Sequence, residues 1–269
     1  MKLCHFEYKN GKHWGAVNND SVFPLDDLED LSEPSEAAVR LTKYTKLANV
    51  KLLPPSTPSK IVCVGRNYAE HAAELGNEVP KEPLLFLKAP SAIITDGASI
   101  ILPAQSNQVE HEGELAVVIG RECQNLVAAE NPLDYVFGYT CLNDVTARDL
   151  QKKDVQFTRA KSFDTFCPIG AVIETELDVS DIRVITRVNG VIKQDGRTSQ
   201  MVFSVPFLIS YISHQMTLNS GDIIATGTPS GVSKLSDGDV CEIEIEGIGV
   251  LRNTVKAIWN PVRDAPPKR

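Results

Sequence analysis

The sequence predicts a mainly β, mixed α/β fold: a rolled or barrel-like β-sheet core, a few peripheral helices and a small N-terminal β unit. Three observations predict it. Strand patterns outnumber helical ones. They do not alternate regularly with helices, which disfavours a doubly wound parallel sheet. A stiff, proline-rich run, Pro54-Pro55-Ser56-Thr57-Pro58-Ser59, divides the chain unequally. The boundary is placed there, with residues 1–55 as a small N-terminal domain and 56–269 as the main domain.

Cys4 to Tyr8 and His13 to Val17 read as short strands joined at Asn10-Gly11, a dipeptide suited to a tight hairpin. A polar, acidic stretch follows from Asp26 to Glu36. Beyond the linker, Lys60 to Gly65 (KIVCVG) is a buried-strand pattern ended by glycine. Asn67 is placed to cap a helix over Tyr68 to Leu75, with Gly76 as its stop. Leu115 to Gly120 (LAVVIG) is a second apolar strand. Arg183 to Val188, Asn189-Gly190 and Val191 to Lys193 give the strongest hairpin signal in the chain. Ser204 is placed to cap a second helix, with Pro206 in its first turn and Val205, Leu208, Ile209, Ile212 and Met216 along one face. Cys241 to Glu246 alternates with period two, which implies one buried and one wet face, and Gly247-Ile248-Gly249 turns the chain back.

With 42% apolar and 23% charged residues, the chain has the balance of an ordinary soluble globular protein. A net charge of −8 argues against nucleic-acid or anionic-membrane partners, since either requires a basic face. It leaves room for a small anionic substrate in a local basic pocket. No apolar run approaches the ~18 residues of a membrane span, and the N-terminus has no apolar stretch fit for a signal peptide. The six cysteines show no C-x-x-C spacing and read as buried, reduced thiols of a cytoplasmic protein.

Chemistry concentrates in Gln108-Val109-Glu110-His111-Glu112-Gly113-Glu114-Leu115. Residues two apart on a strand share a side, so Glu110, Glu112 and Glu114 face together if the strand extends that far back. Taken alone, the segment reads more readily as an acidic edge in water. Were the carboxylates buried, they would repel each other, and a divalent cation would resolve the conflict. All-oxygen ligation selects magnesium, manganese or calcium over zinc. His71 and Glu74, three apart on the first helix, meet on one face. His111 falls on the opposite strand face from Glu112, and His5, His13 and His214 match no motif.

Six segments in order, GRNYAEHAAELG at 65–76, FLKAPSAI at 86–93, E-x-E-L at 112–115, FGYTCLNDVTARDLQ at 137–151, AKSFD at 160–164 and GDIIATGTPSGV at 221–232, resemble the fumarylacetoacetate hydrolase family. The resemblance covers about residues 58 to 257 and implies that family's C-terminal-domain fold, a rolled mixed sheet. It implies a metal held by Glu112, Glu114 and Asp144, with Glu110 outside the ligand set. It implies Mg2+ or Mn2+, with Ca2+ as a further candidate. Lys161 matches the active-site lysine. Arg148 either forks onto a substrate carboxylate or pairs with Asp149 or Asp144. Thr228 is a substrate-binding candidate through its N–H and hydroxyl, and Gln200 is a second. The His71–Glu74 dyad activates water in hydrolytic members, in a segment that reads as a lid.

The substrate so implied is a small anionic 2-oxo or 2,4-dioxo acid that reacts through a metal-stabilised enolate. The leading expectation is C–C bond hydrolysis of an acylpyruvate. Alternatives are decarboxylation of an oxaloacetate-type acid, or isomerisation or tautomerisation of 2-hydroxyhepta-2,4-diene-1,7-dioate in aromatic catabolism. A non-catalytic metabolite-binding module is the reading outside enzymes. The family resemblance also implies a homodimer.

Overall fold

The computed structural model describes residues 1–9, 11–25 and 44–257, so Asn10 and the acidic stretch from Asp26 to Glu36 lie outside the described residues. Along the chain run β1 (Lys2–Tyr8), β2 (Gly11–Asn18), β3 (Ser21–Leu25), β4 (Thr45–Lys46), β5 (Lys51–Leu52), β6 (Ile61–Gly65), α1 (Ala69–Glu74), β7 (Leu84–Lys88), β8 (Ile93–Ile94) and β9 (Ser99–Leu102). Next come β10 (Val109–Glu110), β11 (Gly113–Ile119), β12 (Val136–Asn143), β13 (Thr146–Ala147), α2 (Arg148–Lys153), α3 (Thr158–Lys161), β14 (Cys167–Pro168) and β15 (Val172–Glu174). The last are β16 (Arg183–Val188), β17 (Val191–Arg197), α4 (Val205–Ser213), β18 (Ile223–Ala225), β19 (Val240–Ile245) and β20 (Gly249–Ala257). The fold is mainly β with mixed sheets and four α-helices among the described residues.

Most strands join one large sheet, β4-β3-β2-β1-β15-β12-β11-β18-β6-β7, with β5 on β1. It is antiparallel except where β18 runs parallel to β6. A second sheet, β17-β16-β19-β20-β9, packs against it. The N-terminal strands extend the large sheet, because β1 pairs with β15 from Lys2–Glu174 to Cys4–Val172.

The strand period explains how the layers meet. Leu115, Val117 and Ile119 alternate along β11 and enter the main core, which also takes Ile243, Leu251 and Val255. Val118, on the other face, packs with Leu3, Ala16, Phe137 and Ile173 in a smaller cluster beneath the N-terminal strands. Full burial of each such aliphatic side chain contributes about 1.5–3 kcal/mol.

The β16–β17 hairpin turns at Asn189 (φ 52°) and Gly190 (φ 77°), the positive angles expected of Asn-Gly. Strand β19 alternates half-buried and buried residues as its sequence predicts. Helix α4 starts after Ser204 and buries Val205, Leu208, Ile209 and Ile212, while Met216 lies beyond its end. Ser204 occupies the cap position without a side-chain cap bond.

Helix α1 differs from expectation: Tyr68 holds the cap position, with no side-chain cap bond. The Asn67 amide is used elsewhere. It donates to the carbonyls of Phe203 (3.0 Å) and Thr226 (2.7 Å) and accepts the Phe203 N–H (2.8 Å). Buried backbone groups without partners are costly, and satisfying three of them outweighs one cap.

Candidate active site

Strand β11 starts at Gly113 and β12 ends at Asn143, and these two residues are register partners. The pairing places Glu112 beside Asp144, some 30 residues apart in sequence. Their backbones bond directly, Asp144 N–H to Glu112 O at 2.8 Å, and Glu112 N–H is held by Asn143 Oδ1 at 2.9 Å. Glu114 projects to the same side as Glu112 by strand alternation. Each of Glu112, Glu114 and Asp144 offers a carboxylate oxygen within 4.8 Å of the others. The three are 4%, 2% and 0% exposed, so this is an interior cluster and not a wet edge. Gly113 between the glutamates points the other way, where a Cβ would lie 2.2 Å from Thr186 Oγ1 on β16. The Glu-Gly-Glu order therefore serves close sheet packing on one face and the cluster on the other.

Three buried cations surround the acids. Lys161 Nζ donates to Glu112 Oε2 (2.8 Å) and Asp144 Oδ2 (2.6 Å). Lys88 Nζ donates to Asp144 Oδ1 (2.6 Å) and to the Val145 carbonyl (3.2 Å). Arg148 reaches Glu112 through one terminal nitrogen, Glu110 through Nε (2.7 Å) and Gln151 Oε1 through the other (2.5 Å). Its ion partners are thus Glu110 and Glu112, not Asp149 or Asp144. Asp149 instead accepts from Ser106 Oγ (2.6 Å) and Asn107 N–H (2.8 Å). Glu110 sits on the separate ribbon β10–β13 and stands outside the trio, as the resemblance implies.

These contacts divide the acids. Burial would raise the Glu112 carboxyl, but Lys161 and then Arg148 hold it well below the usual carboxylate range. Burial would lower the Lys161 ammonium, but Asp144 and Glu112 raise it. Glu114 accepts the Gly227 N–H at 2.8 Å, and among the described residues no cation pairs with it. Burial, with Asp144 and Glu112 beside it, pushes its carboxyl well up. A buried acid short of one positive charge, within reach of two more carboxylates, fits a hard divalent cation.

The dyad is formed: His71 Nδ1 lies 3.3 Å from Glu74 Oε2. Glu74 is itself held by the Gly231 N–H, at 3.0 and 3.1 Å from its two oxygens. Thr228 also lines the site. Its hydroxyl is already engaged, donating to the Gly113 carbonyl (2.8 Å) and accepting from Gln194 Nε2 (2.7 Å). Gln200 does not join these residues. It is exposed on a short 3-10 turn, where its Oε1 folds back onto the Arg197 N–H at 2.7 Å.

A cavity of about 380 Å³ gathers His71, Glu74, Glu112, Glu114, Asp144, Arg148, Lys161 and Thr228. Other residues at the site were not singled out by the sequence, among them Lys88, Gln151 and Gln194. Lys88 stands inside the FLKAPSAI motif, so a signal existed. Gln151 is three residues from Arg148 on α2, a spacing that brings side chains together. Gln194, fully buried on β17, had no local signal. It accepts from the Gly113 N–H (3.0 Å), pairs with His111 Nδ1 (3.1 Å), and donates to Thr228 and the Pro229 carbonyl. His111 is thereby a structural neighbour of the site, with Ser233 Oγ on its other ring nitrogen at 2.8 Å.

Two family profiles match the chain. Fumarylacetoacetate (FAA) hydrolase C-terminal matches residues 60–256, and Rv2993c-like, N-terminal matches residues 1–55. The chain is 45% identical over 224 residues to the oxaloacetate tautomerase YisK of Bacillus subtilis, covering 78% of this chain and 74% of that one. It is 46% identical over 199 residues to the mitochondrial oxaloacetate decarboxylase of Dictyostelium discoideum, covering 71% and 91%. Among solved structures, 5-carboxymethyl-2-hydroxymuconate delta-isomerase from Mycobacterium smegmatis matches with a TM-score of 0.86 and 41% identity, over 96% of this chain and 100% of that one.

Proposed function

The chain belongs to the fumarylacetoacetate hydrolase family, and from that premise we propose that this enzyme shifts a proton next to the keto group of a small 2-oxo acid of the oxaloacetate type. That makes it a tautomerase or isomerase. Decarboxylation of such an acid is the second reading, favoured by the Dictyostelium relative. The tautomerase and isomerase names among the relatives support the proton shift over acylpyruvate hydrolysis, the leading expectation from sequence.

One observation carries the reading: a His–Glu dyad and a buried carboxylate trio open on the same cavity. His71 Nδ1 lies against the Glu74 carboxylate, and with the Nδ1 proton donated to that carboxylate the Nε2 lone pair would take up and return a proton. Glu112, Glu114 and Asp144 would hold Mg2+ or Mn2+, with Ca2+ admitted by the same oxygen set. When bound, that ion supplies a Lewis acid for the carboxylate and keto oxygens of a 2-oxo acid. Lys161 and Lys88 keep both Asp144 oxygens oriented. Arg148 and Gln151 present a donor and an amide to the same cavity.

The test is turnover of oxaloacetate, an unsaturated 2-hydroxy dioate and an acylpyruvate by metal-loaded protein, followed by proton NMR in D2O. Deuterium entry beside the keto group without loss of CO2 supports the tautomerase reading. Release of CO2 moves the assignment to the decarboxylase. Cleavage of the acylpyruvate alone overturns both.

A further inference from the structure

Four cationic residues line the cavity: Arg66, Arg148, Lys152 and Lys161. Two of them are committed, Arg148 to Glu110 and Glu112, and Lys161 to Glu112 and Asp144. Among the described residues Arg66 and Lys152 pair with no carboxylate. Lys152 is exposed at the rim, and Arg66 is half-buried.

Arg66 has an unusual backbone. It follows the last residue of β6 with φ of 58°, a left-handed angle that side chains with a Cβ seldom adopt. The next residue, Asn67, pins the turn through the Thr226 and Phe203 contacts and a bond from Val202 N–H to its own carbonyl at 2.8 Å. A glycine would take this angle freely. An arginine instead holds this position among the residues that line the cavity, while the backbone stays strained, a combination typical of functional positions.

The charges point the same way. The lining acids Glu74, Glu112, Glu114 and Asp144 equal the four lining cations in number. A divalent ion on the trio leaves two positive charges in excess, which matches a dianion. Leu75, Leu84, Phe86 and Phe157 supply apolar wall for the carbon chain between two charged ends.

We propose that Arg66, with Lys152 at the rim, binds the distal carboxylate of a 2-oxo dicarboxylate and so selects diacids over 2-oxo monoacids. The inference rests on the 2-oxo acid reading above, and its test is a binding measurement independent of turnover. Oxamate and N-oxalylglycine share one chelating head, and only the second carries a distal carboxylate. Calorimetry on the full chain with Mg2+ is expected to show N-oxalylglycine binding about tenfold or more tighter than oxamate, the size of one charge-assisted contact. Arg66→Gly, which also relieves the backbone strain, is expected to reduce that ratio to about twofold with oxamate affinity unchanged. Arg66→Lys should retain much of it. An undiminished ratio in Arg66→Gly, an equal loss for both ligands, or no preference in the wild type overturns the subsite. Wild-type protein that shows the preference but turns over no 2-oxo acid overturns the proposed reaction alone. Binding of neither analogue overturns both.

Discussion

The Gly231 N–H holds both carboxylate oxygens of Glu74, at 3.0 and 3.1 Å, and so ties the loop after β18 to the helix that carries His71. Gly231 sits at φ 103°, and a Cβ there would lie 1.9 Å from the Lys193 carbonyl oxygen. Gly231→Ala is therefore expected to destabilise the fold by roughly 2–4 kcal/mol and to lower kcat by releasing Glu74. Urea unfolding and initial rates, measured on the same preparation, check both parts. Unchanged stability would show that the loop gives way freely.

His71 is the base in the proposed reaction. His71→Ala should reduce kcat by about 10²- to 10⁴-fold, the usual contribution of a positioned general base, with little change in metal affinity. Glu74→Gln should cost less, because the amide still accepts the imidazole N–H. A His71→Ala enzyme with wild-type kcat moves the proton transfer to another group.

Metal removal gives a second readout. Stripping with a chelator is expected to abolish turnover, and Mg2+ or Mn2+ to restore it. The ion should also stabilise the fold, by about 2.7 kcal/mol at a hundredfold excess over Kd, or a Tm rise of about 5–10 °C. Glu114→Gln should lose that rise while Lys88, Lys161 and Arg148 still hold the other two acids. Full activity after verified stripping would remove the metal from the mechanism.

Gln194 joins the Glu-Gly-Glu strand to the Thr228 loop through four buried contacts. Gln194→Leu keeps the size and strands these partners, which predicts a loss of about 2–4 kcal/mol. Because Gly113 stands between Glu112 and Glu114 of the proposed metal trio, Mn2+ affinity should fall as well. Calorimetry of Mn2+ binding separates this effect from a global one.

Asp222 predicts an acid-side dependence of stability. Burial would raise its carboxyl. Bonds from Lys60, Asn219 and Ser59 overcome that and lower it. A carboxyl depressed in the folded state adds stability above its unfolded value near 4, and loses that contribution as pH falls through the lower folded value. Asp222→Asn should thus be less stable by about 1.5–3 kcal/mol at pH 7, with the gap to wild type closing below pH ~4. Urea midpoints across that range test it, and a gap that persists in acid would point to packing instead of charge.

Short-range pattern carried most of the fold. The Asn-Gly turn at 189–190, the alternation of β19 and the one-sided helix α4 follow from neighbours a few residues apart. The site was legible through ordered motifs, since the E-x-E segment alone reads as an edge in water. What escaped was set by contacts between distant segments. Gln194 becomes important only because β17 brings it within hydrogen-bond reach of Gly113 in the Glu-Gly-Glu strand, and Asn67 forgoes its cap because the 203 and 226 backbones lie within reach. Gln200 shows the converse, where a local turn folds a candidate side chain back onto the Arg197 N–H and away from the other site residues.

The central strands of the large sheet meet late in the life of the chain. β6 at 61–65 finds its parallel neighbour β18 at 223–225, and β1 at 2–8 finds β15 at 172–174. During synthesis β6 must wait for more than 150 further residues before that edge is covered. Pairings of this kind close large loops before any contact rewards them, so folding should be slow, on the scale of long-range β proteins. The interval leaves an apolar strand exposed as each new molecule leaves the ribosome, so lower temperature and added chaperone are expected to raise the folded yield.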